Sequence, residues 1–199
     1  MTPITTIAAL EARYEAAHPV ALTKVTDRIT PAYRSWIEAS RFCILSTVGP
    51  EGTDGTPRGD DGPVVQVADA TTLLMPDWQG NNRLDSLRNI VRDGRFSLMF
   101  LVPGKTDVVR INGTAQVTAD DAFVARFERK GMQPATVVVF TVAEVYFQCG
   151  KALLRSDIWN RNDAADLPSA GALVADAVRG FDAEALDAVY DQSLKSTMW

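Results

Sequence analysis

From Val108 to Thr118 the chain alternates with a period of two. Val109, Ile111, Ala115 and Val117 point one way; Arg110, Asn112, Thr114 and Gln116 point the other. Such a pattern forms a half-buried β-strand and cannot lie along a helix without scattering its apolar side chains. Four more stretches read as strands around it: Arg41–Val48, Val64–Ala68, Thr71–Met75 and the two-sided apolar run Arg95–Val102. A long one from about Thr136 to Gln148 follows. These six strands are joined mostly by short connections, which favours an antiparallel sheet curling into a small barrel. No regular alternation of strand and helix occurs, and no G-x-G-x-x-G, so a dinucleotide-binding α/β fold is disfavoured.

Helical spacing brackets this region. Ile7, Leu10 and Tyr14 recur at helical intervals, as do Tyr33, Trp36 and Ile37, with Thr30 as a candidate N-cap and Pro31 in the first turn. Leu84, Leu87, Ile90 and Val91 predict a helix that Gly94 stops. A short helix is expected near Asp120–Glu128 and another near Lys151–Leu154. After a DLPSAG linker, one or two amphipathic helices run towards Trp199. The stretch Gly49–Pro63 is dense in Gly, Pro and Asp and reads as a loop or wide hairpin. The 199 residues suit one domain: a helical extension (1–40), a barrel (41–150) and C-terminal helices (151–199).

Composition narrows the chemistry. A single histidine, His18, argues against His-rich metal sites and His-based triads, and two distant cysteines, Cys43 and Cys149, give no zinc pattern. No metal site is expected. A net charge of −5 disfavours nucleic acid as a partner. The longest apolar run, Val137–Val142 with one Thr inside it, is far short of the ~20 residues of a membrane helix, so no membrane partner is expected. The N-terminus has neither a basic start nor a long apolar core. The expected location is the cytoplasm, with both thiols reduced and buried. Arginine outnumbers lysine by fifteen to five. That excess reflects either genome composition or the clamping of anions by a planar guanidinium fork.

Four segments carry groups suited to a ligand. Thr56-Pro57-Arg58-Gly59-Asp60 is either a solvated loop tip or a turn that lets the backbone approach a ligand beside Arg58. At Gly80–Ser86 a helix begins. Its free N–H groups, with Asn81 or Asn82 as cap and with Arg83 and Ser86 three apart, make either ordinary capping or a phosphate cup. Arg110, with Asn112 and Gln116, sits on a strand face that is either simply wet or lines a groove. The run Tyr146–Ser156 places Phe147, Gln148, Cys149, Lys151 and Arg155 within ten residues, followed by Trp159. With no His nearby to serve as a base, Cys149 reads as an inert buried thiol.

In this order, the TPRGD segment, PDWQGNNRLDSLRNI (Pro76–Ile90), FLVPG (Phe100–Gly104), VRINGTAQV (Val109–Val117) and YFQCGKALLRSDIW (Tyr146–Trp159) resemble the flavin-binding split-barrel superfamily of pyridoxamine 5′-phosphate oxidase. They are most similar to its subgroup of FMN-dependent enzymes of unassigned substrate. The resemblance implies a mainly β fold with flanking helices, a six-stranded antiparallel split β-barrel. It also implies a homodimer holding FMN at its interface. Carried onto this chain, it assigns the flavin phosphate to Arg58, Arg83 and Ser86 with Asn82 nearby, Ser86 standing where many relatives have a Lys. It assigns the ring or substrate cleft to Arg110, Phe147, Gln148, Lys151 and Arg155, with Trp159 close by. The Arg-x-His pair that holds substrate in true pyridoxamine phosphate oxidases is replaced by Arg155-Ser156-Asp157, and the Arg-x-Val-Leu-Leu-Lys strand is absent. Vitamin B6 oxidation is therefore not the expected activity. The implied function is an FMN-dependent oxidoreductase that moves hydride between flavin N5 and a small organic substrate or reduced nicotinamide. No catalytic residue is assigned, because flavin carries the redox chemistry itself. The alternative is a non-catalytic FMN-binding protein for storage or sensing.

Overall fold

The structure, a computed structural model, describes residues 1–198. Seven strands form one antiparallel sheet: β1 (Phe42–Gly49), β2 (Gly52–Gly59), β3 (Gln66–Val67), β4 (Thr72–Asp77), β5 (Arg95–Leu101), β6 (Val108–Thr118) and β7 (Thr136–Gln148). Their spatial order is β2-β1-β5-β6-β7-β4-β3. The sheet curls without closing, with β2 and β3 at its two ends, and it fits a split barrel.

Strand β2 makes the count seven rather than six. Gly49–Pro63 reads as a loop in sequence, yet Gly52–Gly59 pairs residue for residue with β1 across a two-residue turn at Pro50 and Glu51. Glycine and proline weaken a strand, but an edge position tolerates them because only one side needs ladder bonds. Opposite Asn112 and Gly113 of β6, strand β7 bulges: Asn112 pairs with Glu144 and Gly113 with Val142, which leaves Ala143 as the extra residue. A Cβ at Gly113 would collide with the carbonyl oxygen of Thr141 on β7, so the close approach needs glycine there.

Inward-facing residues of alternate positions build the core: Cys43 and Leu45 from β1, Leu98 and Phe100 from β5, Val109 and Ile111 from β6, and Phe140 from β7. A smaller cluster of Leu74, Val124 and Val137 packs on the opposite side of β4. Among the described residues eight α-helices flank the sheet: α1 (Ile7–Glu11), α2 (Pro19–Thr23), α3 (Pro31–Ala39), α4 (Asp85–Arg92), α5 (Asp121–Val124), α6 (Lys151–Ser156), α7 (Ala170–Ala177) and α8 (Ala183–Ser196). In α3, Thr30 caps the Tyr33 N–H and Pro31 opens the first turn. Ile37 is wholly buried against the barrel, with Tyr33 and Trp36 packed beside it. Helices α1 and α2 bury nothing, and Ile7, Leu10 and Tyr14 stand exposed. Among the described residues, no helix is long and apolar enough to cross a membrane.

Candidate functional site

The gap in the barrel creates the site. A cavity of about 480 Å³ opens between the inner side of β2, the end of β4 and the loop entering α4. It collects Arg58, Asn82, Arg83 and Ser86, four positions drawn from two distant segments of the sequence.

Arg58 faces inward because its cross-strand partner is the buried Cys43, and cross-strand partners share a face. The same alternation brings Thr56 and Asp54 to that face, opposite the buried Leu45 and Thr47. The segment reads in sequence as a loop tip or a ligand-approaching turn and is instead the end of an edge strand, which gives Arg58 a fixed direction. Across the gap its Nη1 donates to Asp77 Oδ1 at 2.6 Å, the side chains being 24% and 15% exposed. The Arg58 Nε is buried without a hydrogen-bond partner. Burial of the Cys43 thiol beneath Arg58 pushes its pKa up to about 12, a rise the nearby guanidinium only partly offsets.

The approach to α4 is contorted. Asn82 and Leu84 both take left-handed backbone conformations, φ 57° and 61°. Leu84, not Asn81 or Asn82, occupies the N-cap position, and no side chain caps the helix. Asn81 Oδ1 accepts from the Arg83 N–H instead, at 3.1 Å. Non-glycine residues at positive φ cost energy and concentrate at ligand clamps. Here they leave the first turn of α4 without a side-chain cap beside the cavity, at its positive dipole end. Helical spacing puts Ser86 on one face with Arg83, apart from a Leu84, Leu87 and Ile90 core stripe. The structure corrects this: Ser86 and Asn89 are buried, while Leu84 and Val91 are exposed. The Asn89 amide donates to Thr47 Oγ1 at 3.1 Å, so this face of α4 packs on the sheet through polar contacts.

Three carboxylates share the cavity, none of them foreseen. Asp77 holds Arg58, Asp85 holds Arg83, and Asp54 accepts from the Ser86 hydroxyl. The Asp85 partnership raises the pKa of Arg83, first through the hydrogen bond and then through charge. Asp54 would have been legible had β2 been read as a strand, since it alternates with Thr56 and Arg58 at period two. At the rim, the Asp60 carboxylate accepts from Arg129 at 2.8 Å, from the Gly62 N–H at 3.1 Å and from Trp78 Nε1 at 3.4 Å. Arg129 also lies 5.7 Å from the Trp78 ring centroid.

These residues fit a phosphate. Two guanidiniums, one with a buried unpartnered Nε, join a serine hydroxyl and a helix start lacking a side-chain cap, in a cavity of ligand size. The fit has one condition: Arg58, Arg83 and Ser86 must exchange carboxylate partners for phosphate oxygens.

The other predicted residues lie elsewhere. Arg110 stands on the outer face of the sheet, in one cross-strand row with Pro57, Ile44, Met99 and Tyr146. It donates to Gln148 Oε1 at 3.3 Å and lies over Tyr146 at 5.4 Å. Phe147 immediately precedes Gln148 on the chain but occupies the opposite face, where Lys24 covers its ring at 4.1 Å and Tyr33 accepts its N–H at 3.2 Å. Lys151 and Arg155 are exposed on α6, and Trp159 donates to the Lys105 carbonyl at 2.8 Å. Cys149 is exposed, not buried as its surroundings in sequence suggest, because it lies just beyond the paired end of β7. One copy of the chain therefore brings Arg58, Asn82, Arg83 and Ser86 together but keeps Arg110, Phe147, Gln148, Lys151 and Arg155 out of their cavity.

Comparison with known proteins sharpens this picture. A family model described as pyridoxamine 5′-phosphate oxidase matches residues 29–149. Among solved structures, HupZ from Group A Streptococcus is 17% identical, with a TM-score of 0.51 over 61% of this chain and 94% of its own. A histidine-to-alanine variant of HupZ matches at 17% and 0.51, over 60% and 99%. A Lactobacillus delbrueckii protein provisionally described as a pyridoxamine 5′-phosphate oxidase is 23% identical, with a TM-score of 0.48 over 61% and 95%. The HupZ likeness shows the fold. No curated protein matches the sequence significantly.

Proposed function

For a chain that belongs to the pyridoxamine 5′-phosphate oxidase family, we propose an FMN-dependent oxidoreductase acting on a small organic substrate other than pyridoxamine phosphate. The family is one of flavin-related oxidoreductases. The observation that carries the finer reading is the convergence of Arg58, Asn82, Arg83 and Ser86 on one cavity in the barrel's gap.

In this reading the cavity binds the FMN phosphate. Arg58 reaches it from β2, its direction set by pairing with Cys43. Arg83 and Asn82 reach it from the strained turn, and Ser86 donates its hydroxyl from the first turn of α4. Asp77, Asp85 and Asp54 hold these donors in place until phosphate replaces them. When bound, FMN supplies the hydride-accepting redox chemistry. The protein's part is to bind, orient and shield.

A second copy completes the site. Phe42 and Ile44 are exposed on the outer sheet face that also carries Arg110 and Gln148. A homodimer formed through this face would cover that apolar surface and bring the second residue set to the flavin. Two unpaired thiols suit a reducing compartment, the cytoplasm. The second reading is a non-catalytic flavin-binding protein. It is favoured by the mutual pairing of the cavity's guanidiniums and carboxylates, which leaves no acid or base aimed at a reacting atom.

The test is the absorbance spectrum of the purified protein, with the released cofactor identified by mass. Bound FMN bleached by an added donor supports the oxidoreductase. Bound FMN with no turnover across donors supports the storage or sensing protein. A colourless protein that takes up no added FMN defeats both.

A further inference from the structure

A second cavity, of about 830 Å³, adjoins the first. The two share Pro57, Arg58, Trp78, Gly80 and Asn81 as a common wall. The first is a polar cup; the second is mostly apolar. Its floor includes the buried Val64 and Met75, and its roof is Leu194, at the end of α8, with Met198 just beyond. Both roof residues are half exposed, as expected of apolar side chains with a cavity on one side and solvent on the other.

The charges around it are engaged with each other. Asp60 holds Arg129, Asp61 holds Arg129 from its other side at 2.6 Å, and Arg58 holds Asp77. Two guanidiniums against three carboxylates leave one excess negative charge on groups that are each already paired, so an anion is disfavoured. The volume lies within the range of small-molecule sites. The family match ends at residue 149, so the roof belongs to a part of the chain outside that match.

We propose that this compartment binds an uncharged, largely apolar organic molecule, and that Leu194 and Met198 determine the size it accepts. That this molecule is the reaction partner of the flavin rests on the function proposed above; that the compartment binds it does not.

The experiment is a fluorescence titration of the full chain with Nile red, a neutral planar dye. We expect one dye per chain with blue-shifted emission. Leu194→Trp and Met198→Trp, both on half-exposed positions, should each weaken dye binding at least fivefold and leave FMN affinity within twofold. Leu10→Asp, on the exposed N-terminal helix, should leave the dye's affinity unchanged. Equal dye affinity in the parent and both roof variants overturns the proposal. Displacement of the dye by one equivalent of FMN also overturns it, since the cofactor itself then fills the space. Failure of the parent to bind FMN, with the dye pattern intact, defeats the flavin reading and upholds the compartment.

Discussion

Arg58 Nη1 stands 2.6 Å from Asp77 Oδ1, and this pair joins β2, one end of the open sheet, to β4, next to the other end. The pair spans the gap where the barrel fails to close, and it is the largely shielded ion pair of the first cavity. Arg83 and Asp85, its counterpart at the helix start, face solvent, the Arg83 side chain being 79% exposed.

This difference ranks the two arginines. Arg58→Ala should weaken FMN binding by about 2–3 kcal/mol, on the order of a hundredfold, because a shielded charge-assisted contact is lost. Arg83→Ala should weaken binding far less, because water competes for an exposed guanidinium. Quenching of FMN fluorescence measures both. Equal losses would mean that the shielded position confers no advantage.

Asp54 opposes phosphate twice, by its own charge and by occupying the Ser86 hydroxyl. Asp54→Asn should therefore tighten FMN binding, by about 1 kcal/mol in the same titration, a gain that shrinks at high salt. Weaker binding would show that Asp54 orients Ser86 usefully and does not compete for it.

The two thiols should behave oppositely. Cys149 is exposed and should react with a maleimide in the native protein at pH 8. Cys43, buried and with its pKa pushed up to about 12, holds almost no thiolate there and should react only after unfolding. Counting labels by mass should give one per native chain and two in urea. Cys149→Ser should leave FMN binding and turnover intact; loss of turnover alone would make this thiol a redox partner of the flavin.

Asp60 should make the fold acid-sensitive. Its burial alone would raise its pKa, but hydrogen bonds from the Gly62 backbone and Arg129, with the charge of Arg129, outweigh this and hold it below the ordinary carboxylate value. The unfolded carboxyl, with a value near ~3.9, takes a proton first as pH falls. The stabilisation is thus complete above that value and is lost as pH drops through the folded one. Urea midpoints between pH 6 and pH 3 should fall more steeply for the parent than for Asp60→Asn. Parallel slopes would place the acid sensitivity elsewhere.

Local periodicity carried most of the fold. The alternation of Val108–Thr118 and the run Thr136–Gln148 coincide with β6 and β7, and Thr30-Pro31 opens α3, because strand and cap formation depend on neighbours along the chain. The grouping of Arg83 with Ser86 was legible for the same reason, as they are three residues apart at one helix start. What escaped was decided between distant segments. Strand β2 is held by pairing with β1, which its Gly- and Pro-rich sequence does not announce. The partners Asp77 of Arg58 and Asp54 of Ser86 lie 19 and 32 residues away and meet only because the sheet curls onto α4. Phe147 and Gln148 are adjacent in sequence, yet the two-residue period of β7 sends them to opposite faces. A sequence displays the period of each element; the register and curvature that choose its partners arise from packing across the whole sheet.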